Sequence, residues 1–286
     1  MQKIVRKVLR AVADYDPAYY DMYTDPHEAF FAKLYVERIR QRAEEARLRP
    51  PATMLEAGCQ AGRLVVPLAA LGFQVTGIDT SGFALRRAEA HARKAGVDAT
   101  LIQADVMEFL RRQRERRYDI VVCAEVIYQS SQYRAMVQVL AGAVKPGGLL
   151  VVSHRSMVYY FVEALRHGDL TTARQVLARR EGDFEGPFPE RGYYNWQTED
   201  ELDALYKGLG LQRVALYPID RCAWLTGMGP SQLTSAEREA WLRMELQPSD
   251  ARAGCARYIL VIAEQPRDSD RAVSSTRDER TMMSAR

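Results

Sequence analysis

Two glycines and two acids carry the first chemical signal in the chain. Gly58 and Gly62 flank the short loop of LEAGCQAG, between an apolar strand-like run and a helical one. Glycine leaves room for a ligand and takes backbone angles closed to other residues. The helix expected after Gly62 starts with unpaired backbone N–H groups, which suit a polar ligand. Asp79 lies roughly 20 residues beyond Gly58 and ends a second apolar run, QVTGID, where a carboxylate can accept both hydroxyl protons of a ribose. Asp105, in QADV, follows a third run and can accept from an adenine exocyclic amine; a helix N-cap before VMEFL would use the same residue. A glycine loop, a helix start and acids at strand ends are the apparatus of a nucleotide-like ligand site.

The elements that must hold these residues are legible as an alternation. Strands are expected near 53–57, 74–78, 99–103, 118–123 and 148–153, and helices near 62–71, 82–94, 106–114 and 131–143. MLEAG, YDIVVCA and GLLVVSH are almost continuously apolar, as strands buried on both faces should be. Gly72 and Gly96 stand at expected helix stops. Strand–helix alternation of this kind predicts an α/β fold with a doubly wound sheet. An amphipathic helix is expected from about His27 to Arg47, ended by Pro50-Pro51. Beyond Ser153 the rhythm changes. Two helices and a Gly/Pro/aromatic loop are expected over 154–197, then a helix with Thr198 and Glu201 as a capping box. Two last strands, LQRVALYP and ARYILVIAEQ, complete a set of seven, with an insertion over 218–256 that holds a helix near 234–246.

The resulting division is an N-terminal helical lid over 1–49, a main domain over 50–265 with lid insertions at about 154–197 and 218–256, and a polar tail over 266–286 expected to be disordered. The basic N-terminus MQKIVRKVLR has apolar residues at helical spacing and reads as a helix packed on the domain, with a membrane surface or acidic partner as the alternative. A net charge of only +3, with acids and bases interspersed, argues against a dedicated nucleic-acid binder. Residues 1–12 lack the apolar core of a signal peptide, and no apolar run approaches a membrane span. Cys59, Cys123, Cys222 and Cys255 are scattered, with no Cys/His cluster, so neither a metal site nor a disulfide framework is expected. Reduced thiols in a cytoplasmic protein are the simplest reading.

Over residues 50–153 the chain resembles the class I S-adenosylmethionine-dependent methyltransferases. LEAGCQAG resembles their glycine-rich first motif, GIDTS the acidic ribose motif, QADV the adenine-side motif, YDIVVCAEVIYQ the fourth-strand motif and VKPGGLLVVS the turn into strand five. The resemblance implies a mostly parallel seven-stranded sheet with a terminal antiparallel strand. It implies S-adenosyl-L-methionine as cofactor, with Gly58 and Gly62 around its methionine portion, Asp79 on the ribose, Asp105 and Val106 at the adenine, and Glu125 facing the methionine amine and the reacting methyl. Glu56, Cys59 and Thr80, in the same motifs, complete the expected cofactor contacts. Gln60 departs from the pattern, which has glycine there.

Methyl transfer from a sulfonium is an in-line displacement that needs alignment above all. His154, just after the fifth strand, is the positional candidate for a general base, with a core-edge histidine as the alternative. Tyr128 would orient an acceptor or simply pack. ADYDPAYYDMY resembles a tyrosine-bearing lid, in which Tyr15 and Tyr20 would pack on the cofactor or the acceptor. Arg155 and Arg221 are candidates for binding an acidic acceptor, and Tyr194 and Trp196 for lining an aromatic pocket. The expected activity is methylation of an O or N nucleophile on a small-molecule acceptor, in a chain that would act alone or as a homodimer. RNA methylation and a non-catalytic cofactor-binding regulatory subunit are the competing readings, and a nicotinamide dehydrogenase shares the strand–loop–acid logic.

Overall fold

Alternation of side chains across a pleated sheet explains the continuous apolar runs. A computed structural model describes residues 19–184, 192–221, 223–247 and 255–267. Seven strands form one sheet: β1 (Thr53–Ala57), β2 (Gln74–Asp79), β3 (Thr100–Gln103), β4 (Tyr118–Cys123), β5 (Val144–Arg155), β8 (Gln212–Ile219) and β9 (Tyr258–Glu264). Along β4, Ile120 and Val122 enter one core while Val121 and Cys123 enter the other. Met54 and Leu55 of β1, and Leu260 and Val261 of β9, split in the same way. Each face therefore needs apolar residues at every second position, and two faces need them everywhere.

The strand order is β3-β2-β1-β4-β5-β9-β8. β1 to β5 pair in parallel, while β9 is antiparallel to both β5 and β8. The expected architecture, with the last strand as the antiparallel one, is present. Order reverses at β1, between β2 and β4, and ligands of open parallel sheets bind at the carboxyl edge of such a switch point.

One face is covered by α1 (Pro26–Glu45), α2 (Val65–Ala70), α3 (Gly82–Ala95) and α10 (Ser235–Leu246), and the other by α4 (Val106–Arg112), α5 (Tyr133–Gly142) and α8 (Glu199–Gly208). Gly96 ends α3 in the left-handed region, and Thr198 and Glu201 form the expected capping box of α8. α1 buries Phe30, Phe31, Leu34, Tyr35 and Ile39 in the same core as β1 and β4. At roughly 1.5–3 kcal/mol per buried side chain, detaching it would cost as much as a domain's whole net stability of about 5–15 kcal/mol. α1 is thus a fixed layer of the fold.

The insertion after β5 holds α6 (Met157–Arg166), α7 (Leu170–Ala178) and a hairpin of β6 (Glu181–Phe184) with β7 (Gly192–Asn195). Tyr160, Phe184 and Trp196 form its own aromatic core. The hairpin occupies part of what the sequence presents as a Gly/Pro/aromatic loop. The second insertion carries the short α9 (Ala223–Thr226) and α10. Tyr15, the basic N-terminus and nearly all of the 266–286 tail lie outside the described residues. No helix among the described residues is long and apolar enough to cross a membrane.

Candidate active site

The carboxyl edge of β1 to β4 opens into a cavity of about 750 Å3. Its walls include Glu56, Gly58, Cys59, Asp79, Thr80, Asp105, Val106 and Glu125, residues drawn from four separate strand ends. Each strand delivers residues within about three positions of its end to the same edge because the four run parallel. Gly58 stands in the left-handed region, and a Cβ there would meet Val126 Cγ2 at 2.4 Å. No side chain fits. Gly62 does not line the cavity; a Cβ on it would press Ala88 Cβ at 3.1 Å, so its absence lets α2 and α3 approach closely.

Backbone groups pin the ribose candidate. Asp79 accepts from the Gln60 N–H at 2.9 Å through Oδ2 and from the Ser81 N–H at 2.8 Å through Oδ1. The carboxylate is held open toward the cavity with lone pairs to spare. Asp105 caps α4, accepting the Glu108 N–H at 2.9 Å, and also lines the cavity. The two readings of that residue are compatible. Glu56 is buried on the cavity wall, and its Oε2 has no hydrogen-bond partner among the described residues. Burial, only partly offset by Arg63, pushes its carboxyl up to about 8.

Arg63 carries no motif signal in the sequence, although it follows the glycine loop directly. Its buried guanidinium donates to Glu28 Oε2 on α1 and to Glu125 Oε1 at 2.7 Å. Burial alone would raise the Glu125 carboxyl, but Arg63 holds it below the usual carboxylate value. Glu28 is raised, by burial and by the nearby Glu125 charge. Glu125 itself has a left-handed backbone, with φ 60°, and its N–H donates to Ser153 Oγ at 2.6 Å. A non-glycine residue held in that region is a mark of an over-determined site. Met22, Met107, Arg111 and the 129–132 turn also line the cavity, and none carried a sequence signal.

Several expected residues lie elsewhere. His154 is the principal correction. β5 runs two residues further than expected, so His154 falls on the face of Leu150 and Val152 and is fully buried. Its Nδ1–H donates to Gln197 Oε1 at 3.1 Å, and its Nε2 accepts from the Tyr206 hydroxyl at 2.9 Å; this tautomer follows from Gln197 using its amide N–H on Asn195 Oδ1. Burial drops its pKa from 6.5 to about 4, and it does not reach the cavity. A neutral buried imidazole with both nitrogens engaged is not a poised base.

A stability effect follows. The folded state binds one proton fewer than the unfolded chain between pH 6.5 and about 4. Stability from this group is therefore present above that window and is lost as pH falls through it. The total is about 3 kcal/mol at about 1.4 kcal/mol per pH unit. Urea melts of the native chain should weaken across that range, and His154→Gln should flatten the slope while leaving any activity in place. A variant that keeps the acid slope would remove His154 as its source.

Tyr128 packs in an aromatic group instead of facing the cavity. Its ring lies 6.2 Å from Tyr194 and 4.6 Å below the Arg155 guanidinium, which also covers Tyr258 at 4.2 Å. Arg155 is buried there, and Tyr194 also stacks on Phe184. Trp196 is fully buried, its indole N–H donating to the carbonyls of Val176 and Arg179. Arg221 reaches Glu245 and the carbonyls of Glu245 and Gln247, at the end of α10. Tyr20 is 52% exposed, although its carbonyl accepts from Gln60 Nε2 at 3.2 Å. None of these side chains lines the cavity.

The geometry agrees with what the chain is similar to. Residues 54–148 match a family described as methyltransferase domain. Over 100 residues the chain is 34% identical to a ubiquinone biosynthesis O-methyltransferase of Rickettsia felis, covering 35% of this chain and 40% of that protein. Over 97 residues it is 38% identical to the protein of the same name from a Methylobacterium species, covering 34% and 38%. The matches thus span about two fifths of the length of these curated relatives. Among solved structures, an S-adenosylmethionine-dependent methyltransferase from Clostridium acetobutylicum has the same fold, with a TM-score of 0.53 at 14% identity over 93% of this chain and 98% of that one. Magnesium protoporphyrin IX methyltransferase from Synechocystis, solved with bound SAH, superposes with a TM-score of 0.50 at 16% identity over 92% and 99%. Carboxyl-edge cavity, strand order and sequence match converge: residues 54–148 are similar to the methyltransferase domain, and they lie in a Rossmann-like sheet of the same fold as solved methyltransferases.

Proposed function

We propose that this cavity binds S-adenosylmethionine and that the chain transfers its methyl group to an oxygen or nitrogen nucleophile of a small-molecule acceptor in the cytoplasm. The observation that carries the reading is the gathering of Glu56, Asp79 and Asp105 around one glycine loop at the edge of three parallel strands. The residues suit the cofactor. The orphan Oε2 of buried Glu56 is an acceptor waiting for a cationic donor such as an ammonium group. Asp79, pinned by two backbone N–H groups, keeps lone pairs for ribose hydroxyls. The bare backbone at Gly58 allows close approach.

When bound, the sulfonium supplies a methyl group already activated by positive charge. The chain's own task is to hold that group, orient the acceptor and exclude water. Arg63 fixes Glu125 at the end of β4, and Glu28 ties both to α1. With His154 withdrawn into the core, the reading assigns catalysis to alignment. Oxygen is favoured over nitrogen by the O-methyltransferase names of the curated relatives. A small molecule is favoured over RNA by the interspersed charges and net charge of +3.

Titration calorimetry with S-adenosylmethionine and S-adenosylhomocysteine tests the cofactor, and transfer of labelled methyl to a metabolite extract tests the acceptor class. Asp79→Ala should weaken cofactor binding by about 10- to 100-fold, from two lost hydrogen bonds at about 1 kcal/mol or somewhat more each. A native chain that binds neither compound would overturn the reading. Unchanged affinity in the variant would remove Asp79 alone.

A further inference from the structure

We propose that Gln60 is a positioning residue that latches the segment Tyr19–Asp25 over the glycine loop and so sets how long the cofactor stays bound. This rests on the functional reading above. Gln60 spends both ends of its amide on one stretch of backbone. Its Oε1 accepts the Met22 N–H at 3.3 Å, and its Nε2 donates to the Tyr20 carbonyl at 3.2 Å. That pattern ties two alternate residues of the segment to one side chain. Met22 lines the cavity beside Gln60, so the tie closes one wall.

The same residue touches the ribose candidate. Its backbone N–H donates to Asp79 Oδ2 at 2.9 Å, so the latch and the expected cofactor contact share a peptide unit. Gln60 has φ 43°, in the left-handed region that favours glycine. Gly58 and Gly62 show that the loop uses glycine where it needs that conformation. A glutamine there is disfavoured locally, and its bridging amide is a compensation that glycine would lack.

The rest of the segment is anchored to α3 by side chains. His91 Nε2 meets Asp21 Oδ2 at 3.0 Å, Tyr23 stacks on the His91 ring at 4.2 Å, and Tyr19 sets its edge on Phe83 at 4.9 Å. On the far side, Asp25 caps α1, which the core holds in place. Asp25 is therefore a hinge point, and the Gln60 pair is the direct bond between the segment and the loop beneath it.

The test is the dissociation rate of S-adenosylhomocysteine from the native chain, Gln60→Gly and Gln60→Ala, measured by stopped-flow displacement beside thermal melts and hydrogen exchange of the cofactor-free proteins. Loss of two hydrogen bonds predicts release about tenfold faster in both variants. In Gln60→Gly the melting temperature should hold or rise, because glycine relieves the left-handed backbone. The Met22 amide should exchange faster. A role in general stability would instead lower the melting temperature in step with affinity, and that result overturns the proposal. So does unchanged release with unchanged Met22 protection. A native chain that binds no cofactor overturns the functional reading, and this inference with it.

Discussion

Replacing Arg63 with methionine destabilises the fold by about 3–5 kcal/mol, the usual cost of removing one partner from a buried ion pair. Arg63 is 6% exposed and neutralises two carboxylates that come from distant parts of the chain, Glu28 on α1 and Glu125 after β4. Its guanidinium also sits 5.5 Å from the Tyr35 ring. Without it, two acids remain beside each other in a low-dielectric site, and both must take up protons or attract water. The deficit should therefore shrink toward acid pH, where the carboxyls are neutral. Arg63→Met combined with Glu28→Gln should recover part of the loss, because a single unpaired acid remains. Urea denaturation at neutral pH measures all three chains. A cost below about 1 kcal/mol would mean a solvent-screened pair, and the triad would then lose its role in joining α1 to the site.

Glu56→Gln should act in the opposite direction at alkaline pH. The Glu56 carboxyl is raised from 4.5 to about 8, so the folded state holds a proton that the unfolded chain releases between those values. Stability from this group is full below pH 4.5 and is lost as pH rises toward and through 8. At about 1.4 kcal/mol per pH unit the span is about 5 kcal/mol, an upper bound because water can relax around the charge. The glutamine variant carries no such titration. It should match the native chain near pH 4 and exceed it by about 3–5 kcal/mol near pH 9. It should bind the cofactor more weakly, by about tenfold or more, because an amide cannot ionise beside a cationic ligand group as the carboxyl can. Stability curves that run parallel across the pH range would show that Glu56 is ionised at its ordinary value, and its orphan oxygen would need another explanation.

These effects come from groups that were only partly visible in the sequence. Glu56, Gly58, Asp79, Asp105 and Glu125 were legible because parallel strands place their ends at one edge, and a glycine loop with an acid at the next strand end is a local pattern. Arg63 was not, since an arginine on a helix reads as solvated until α1 and β4 bring their carboxylates to it. The environment of His154 is decided by the end of one strand. Two further residues of β5 turned it from a loop residue into a core residue bonded to Tyr206. The β6–β7 hairpin leaves no strong sequence signal because its strands pair only with each other and pack against α6 and α7, not in the main sheet.

What the chain determined by itself is therefore the periodic and the local. Two-faced apolar runs dictated a covered parallel sheet, glycines and caps punctuated its helices, and the order of strand-end acids located the ligand edge. Tertiary structure alone decided which polar side chains meet. Pairings such as Glu28 with Arg63, His154 with Tyr206 and Gln60 with the backbone of Tyr20 and Met22 join residues far apart along the chain. Their worth depends on burial and on distances of about 3 Å, which no short-range pattern encodes. The departure at Gln60 shows the difference. As a letter it was a missing glycine, and in three dimensions it is a side chain with two partners.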